Sequence, residues 1–242
     1  MKKNKLLGGN WKMNPSLKTL EIAKNFRQNF FSGNDTFIAV PFPYIYFAKK
    51  MFPEYIKVGA QDCSQFEGGP YTGEVSASMI KEMGAEYVII GHSERRRWFG
   101  ETSEVIAKKI RNARSQGLKV ILCIGEEEKC RKQGKYLDVI KDQLLSLGED
   151  VKGDGIDIAY EPVWAIGTGK IPTNDQIREV VSNVKKWGES VGFEGRVIYG
   201  GSVSMLNCQS VLDVEEVDGF LVGGTSLKMD FCMISSEMGT KR

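Results

Sequence analysis

Glu161 follows an apolar run directly, in the stretch AYEPVWAIGTGK at 159–170. A carboxylate at the end of such a run loses hydration, which disfavours its charged form and can lift its pKa toward neutrality, where a general base works. The residue also reads as a rim glutamate paired with a lysine, because structural ion pairs perturb carboxylates too. Behind it, PVWAIGTGKIP at 162–172 joins apolar side chains that can cover a site to glycines that can bend. Bounded by Pro162 and Pro172, with Trp164 as bulk and Gly169 among the flexible points, this segment has the composition of a closing lid.

The chain has a single histidine, His92, so any imidazole chemistry is concentrated there and a histidine-rich metal site is excluded within one chain. In GHSERR, 91–96, Ser93 is the expected helix cap and Glu94 falls in the first turn. A ring near that positive dipole end is expected to stay neutral and to donate to a carbonyl oxygen; a purely structural histidine is the alternative. Lys12 comes two residues after Asn10 in GNWKMN, where its ammonium can reach toward an anion, although most lysines are solvated surface charges. YGGS at 199–202 and VGGTS at 222–226 offer backbone N–H groups suited to a phosphate, or are simply tight turns. GTGK at 167–170 is not a Walker motif, since Ile171 stands where Ser or Thr is required. A base, a neutral donor, a cation, a lid and a phosphate cradle together suit proton abstraction beside a carbonyl in a small phosphorylated sugar, with no cofactor. Lys12, His92 and Asn10 are then expected to stabilise an enediolate oxygen.

These residues must be brought together by the elements around them. Eight short apolar runs recur: 5–10, 36–41, 56–61, 86–91, 118–123, 156–161, 196–200 and 217–222. Most are continuously apolar, as strands buried on both faces of a parallel sheet are. Between them lie amphipathic segments. SEVIAKKIRNARSQG places Val105, Ile106, Ile110 and Ala113 on one helical face, and TNDQ at 173–176 fits a capping box. Over 242 residues this predicts one domain, 1–242, as an α/β single-domain (β/α)8 barrel, with an open doubly wound sheet as the other possibility. In a barrel, polar residues at the carboxyl ends of strands form the active face. The net charge of +2 argues against a nucleic-acid partner, and no apolar run is long enough to span a bilayer. The opening MKKNKLLGGN does not read as a signal peptide, so the cytoplasm is expected, with the five cysteines reduced and mostly packed.

GGNWKMN, TGEVSASMIKEMGAEYVIIGHSERR, AYEPVWAIGTGK, YGGSV and DGFLVGGTSL, in this order across nearly the whole chain, resemble triosephosphate isomerase. The resemblance implies interconversion of dihydroxyacetone phosphate and D-glyceraldehyde 3-phosphate in glycolysis and gluconeogenesis. It implies Glu161, His92, Lys12 and Asn10 as the catalytic set, with Glu94 beside Lys12. Backbone amides at Gly167, Ser202, Gly223 and Gly224 are the implied phosphate contacts. It further implies a homodimer in which the 61–74 loop docks into the neighbouring subunit, bringing Thr72 toward the partner's Asn10 and His92. Two features depart from the family pattern. Pro172 stands where alanine is common, so Tyr199 is expected to latch the lid differently, and the segment between Glu161 and Tyr199 is short. Another sugar-phosphate isomerase of amino-acid biosynthesis and a catalytically silent sugar-phosphate binding barrel are the competing readings.

Overall fold

In the computed structural model, which describes residues 3–31, 33–168 and 170–240, the eight apolar runs become eight parallel strands. They are β1 (Lys5–Asn10), β2 (Asn34–Val40), β3 (Lys57–Ala60), β4 (Tyr87–Ile90), β5 (Lys119–Ile124), β6 (Ile156–Tyr160), β7 (Val197–Tyr199) and β8 (Gly219–Val222). Each pairs with the next in chain order, and β8 closes on β1 through Leu6 opposite Gly219, giving a closed barrel. Ten α-helices lie among the described residues: α1 (Leu17–Leu20), α2 (Ile45–Met51), α3 (Ala77–Glu82), α4 (Ser93–Phe99), α5 (Ser103–Ser115), α6 (Glu128–Lys132), α7 (Tyr136–Leu145), α8 (Asn174–Ser190), α9 (Cys208–Leu212) and α10 (Asp230–Thr240).

The strand side chains alternate between two cores. Leu6, Phe37, Tyr87, Ile121, Ala159 and Ile198 belong to a cluster filling the barrel, while their neighbours Leu7, Ile38, Val88, Val120, Ile158 and Val197 pack outward under the helices. Burial on both faces is why the runs carry no polar alternation. α5 buries Ile106, Ile110 and Ala113 as expected, but Val105 is only half-buried and the face widens to Lys109 and Asn112. Lys109 is buried because its ammonium binds Asp62 at 2.7 Å and Glu101 at 2.5 Å. The Thr173–Gln176 capping box is present at the start of α8, with both reciprocal hydrogen bonds made. At the amino-terminal end of the barrel, Arg196 binds Asp157 at 2.8 Å and Asp35 at 2.7 Å, tying β7, β6 and β2 together.

Asn10, Gln61, His92 and Glu161 lie at or just past the opposite, carboxyl ends of β1, β3, β4 and β6. Among the described residues no helix is long and apolar enough to cross a membrane. All five cysteines are free thiols, buried except for the half-buried Cys130.

Candidate active site

The end of β1 turns sharply. Asn10 is buried, and its Oδ1 accepts the Lys12 N–H at 3.0 Å. Lys12 has φ of 50°, the one positive value outside glycine among the described residues, a conformation that costs about 1 kcal/mol or more. Gln61 at the end of β3 holds the turn, its Nε2 donating to Lys12 O and Ala39 O at 3.0 Å each. The ammonium of Lys12 forms an ion pair with Glu94.

His92, not Ser93, is the cap of α4. Its Nδ1 accepts the Glu94 N–H at 3.2 Å, a role that Ser, Thr, Asp and Asn usually fill. An accepting Nδ1 has no proton, so the ring is the neutral tautomer with hydrogen on Nε2. That Nε2 lies 3.0 Å from Glu161 Oε1 and can donate to it. Burial lowers the imidazole's pKa, but the Glu161 carboxylate outweighs it and raises the value from the ordinary one. Capping by Nδ1 favours the uncharged ring, since imidazolium would set Nδ1–H against the Glu94 N–H, whereas the Nε2 bond to Glu161 pulls toward the charged form.

Glu161 is buried, and its backbone N–H extends the β5–β6 ladder to Ile124 O at 2.8 Å. Oε2 accepts the Ser93 N–H at 2.8 Å. The apolar mouth does not raise this pKa as expected. Burial pushes it up, but His92, the Ser93 amide and Lys12 together hold the carboxyl below the usual range. The expectation failed because it considered desolvation without the donors that converge on the charge. Gly125 makes this placement possible, since a Cβ there would run into the Glu161 carbonyl oxygen.

One cavity of about 470 Å³ is lined by Asn10, Lys12, His92 and Glu161 together with Gly167, Ser202, Gly223 and Gly224. All eight residues expected to touch substrate therefore meet around a single space. Sequence reasoning missed the groups that shape the glycine loops. Trp11 Nε1 donates to Ser226 O at 3.1 Å, Thr225 Oγ1 to Val203 O at 2.9 Å, and Asn207 Nδ2 to Ser202 O at 2.9 Å. Their partners are mostly backbone carbonyls, which leave no residue pattern to read.

In the lid segment, Pro162 and Pro172 are buried and Trp164 half-buried; Gly169 lies outside the described residues. Trp164 does not line the cavity; its Nε1 donates to Glu126 Oε1 at 2.8 Å, and Ile166, Gly167 and Lys170 face the space instead. The Tyr199 hydroxyl is buried with no hydrogen-bond partner among the described residues. Thr72 is exposed and away from this cavity. Glu94 lines an adjoining cavity of about 550 Å³, whose walls also include Asn10, Lys12, His92, Trp98 and Phe99. Among the described residues no group of three or more His, Cys, Asp or Glu is arranged to hold a metal.

The family model for triosephosphate isomerase matches residues 5–238. The chain is 41% identical to the cytosolic triosephosphate isomerase of Oryza sativa subsp. japonica over 245 residues, covering 97% of each protein. It is 43% identical to the triosephosphate isomerase of Coprinopsis cinerea over 243 residues, 96% of each. It is 42% identical to that of Taenia solium over 245 residues, 97% of this chain and 98% of the relative.

Proposed function

The chain belongs to the triosephosphate isomerase family, and from that footing we propose that residues 1–242 act as one catalytic domain interconverting dihydroxyacetone phosphate and D-glyceraldehyde 3-phosphate. The observation that carries this reading is the cavity that Glu161, His92, Lys12 and Asn10 line together with Gly167, Ser202, Gly223 and Gly224. The substrate phosphate sits against the amides of the second set, which places its carbonyl and neighbouring carbinol carbon beside Glu161. Glu161, ionised, takes a proton from one carbon and returns one to the other. His92 donates from Nε2 to the oxygens, and Lys12 with Asn10 stabilises the negative charge of the enediolate, where preorganised donors act most strongly. Closure of 162–172 excludes water and holds the intermediate against loss of phosphate; lids of this family are a standard example. No cofactor takes part in this reading. We assign the work to glycolysis and gluconeogenesis in the cytoplasm, in keeping with the family and with the rice relative's name.

The 61–74 loop supplies the assembly on this reading. Its Phe66 and Tyr71 stack with ring centroids 3.6 Å apart, presenting exposed Thr72. A second copy's loop enters the 550 Å³ cavity, where Trp98 and Phe99 are 68% and 67% exposed in the single chain. Supplying D-glyceraldehyde 3-phosphate and following dihydroxyacetone phosphate tests the reaction. Turnover that falls by about 10²–10⁴ in Glu161→Gln supports it. Binding of the triose phosphate without any turnover in the unmodified protein points instead to a silent binding barrel.

A further inference from the structure

Glu161 is approached from two sides. Besides the 470 Å³ space, a cavity of about 150 Å³ runs behind it between the ends of β4, β5 and β6, with Ser93, Arg96, Cys123 and Gln143 in its wall. Among the described residues Glu161 is the one that lines both. Oε1 is 3.0 Å from Nε2 of His92, which lines the front cavity, and Oε2 accepts the amide of Ser93, which lines the rear one, at 2.8 Å. The rear cavity also includes the exposed residues Arg97 and Glu127, so its wall reaches the surface, and Val163 at the start of the lid segment forms part of it. At about 30 Å³ per molecule it has room for a handful of waters, and Ser93, Arg96, Arg97 and Glu127 supply the polar partners such waters need.

We propose that this rear cavity is the route by which a proton held on Glu161 exchanges with solvent while the substrate is enclosed in front. The inference rests on the isomerase reading above. In the first step a C–H bond of dihydroxyacetone phosphate breaks, its electron pair enters the enediolate, and an O–H bond forms on Glu161. Returned to the Ser93 amide, the carboxylic acid gives that proton to a rear water and takes one back from the water chain, with no net change of charge. The proton then delivered to the neighbouring carbon comes either from the substrate or from solvent, according to whether exchange precedes delivery. Water reaching the front face through the lid would make the same isotopic product, and the rear wall separates the two routes.

The test is isomerisation of dihydroxyacetone phosphate in D₂O, with proton NMR reading the fraction of D-glyceraldehyde 3-phosphate deuterated at C2. Glu127 makes no side-chain capping bond at α6, so it can be changed without removing a helix contact. Glu127→Trp, which covers the rim, is expected to lower the deuterated fraction at least about twofold while kcat stays within about twofold, the usual reach of a surface change. Glu127→Ala, which widens it, is expected to hold or raise that fraction. The same deuterated fraction in all three proteins, or none in the unmodified one, overturns the rear route. Absence of turnover in the unmodified protein overturns the isomerase reading itself and is seen before any isotope is measured.

Discussion

At the scale of single residues, Glu161 and His92 set each other's protonation. Burial alone raises the carboxyl and lowers the imidazole, and each partner reverses the effect on the other. Because the chain has one histidine, its titration is read without assignment. Glu161→Gln removes the attracting charge, so the His92 midpoint, followed by NMR, should move to lower pH; an unchanged or higher midpoint contradicts the pairing. The raised imidazole, not the depressed carboxyl, sets the acid limb. As the pH falls, His92 takes up a proton while Glu161 is still ionised, so kcat/KM is expected to decline with a midpoint above that of an ordinary imidazole. Tyr199 is the opposite case. Its hydroxyl has no partner among the described residues, and Pro172 has no N–H to offer. Tyr199→Phe therefore removes no bond and should leave kcat within about twofold. A loss beyond about tenfold would show that the hydroxyl gains a partner in the closed lid.

At the scale of elements, the strand ends do the positioning, and Gly125 is the tightest point. A side chain there would drive β5 away from the Glu161 carbonyl. Gly125→Ala should cut kcat by about 10²-fold, the effect of an error near 1 Å in a catalytic group, with a lowered melting temperature; wild-type turnover would show that the strand ends are not what fixes Glu161. The eight strands were readable because burial on both faces writes an unbroken apolar run, and α8 because its capping box lies within four adjacent residues. The cap of α4 was misread because Ser93 is the commoner capping type and the competing acceptor was a ring nitrogen. Helices as short as α1 and α9 span too little sequence for a 3.6-residue period to emerge. The cluster of buried Asp62, Glu101 and Lys109 with half-buried Arg95 was also out of reach, since its members come from the 61–74 loop, α4, α5 and the turn between these helices. Burial, partly countered by Lys109, pushes the Asp62 carboxyl up to about 6, a state that depends wholly on the assembled fold.

At the scale of the whole molecule, the barrel places its charged Arg196 network at one end and the proposed chemistry at the other, with an exposed apolar groove beside the site. If a partner's 61–74 loop fills that groove, Thr72→Arg should place a bulky positive charge against the Asn10, Lys12 and His92 side of it. Light scattering is then expected to show a monomer with reduced turnover, and a variant that remains a fully active dimer would exclude this docking. The convergence of Glu161, His92 and Lys12 on one three-carbon guest is tested most directly by a crystal structure with 2-phosphoglycolate, which pairs a phosphate with a planar anion resembling the enediolate. The phosphate is expected at the amides of Gly167, Ser202, Gly223 and Gly224, and the carboxylate within hydrogen-bonding reach of His92 Nε2 and Lys12 Nζ, with Glu161 packed against it. A ligand bound elsewhere, or bound in this cavity with the three side chains turned away from it, would contradict the proposed function.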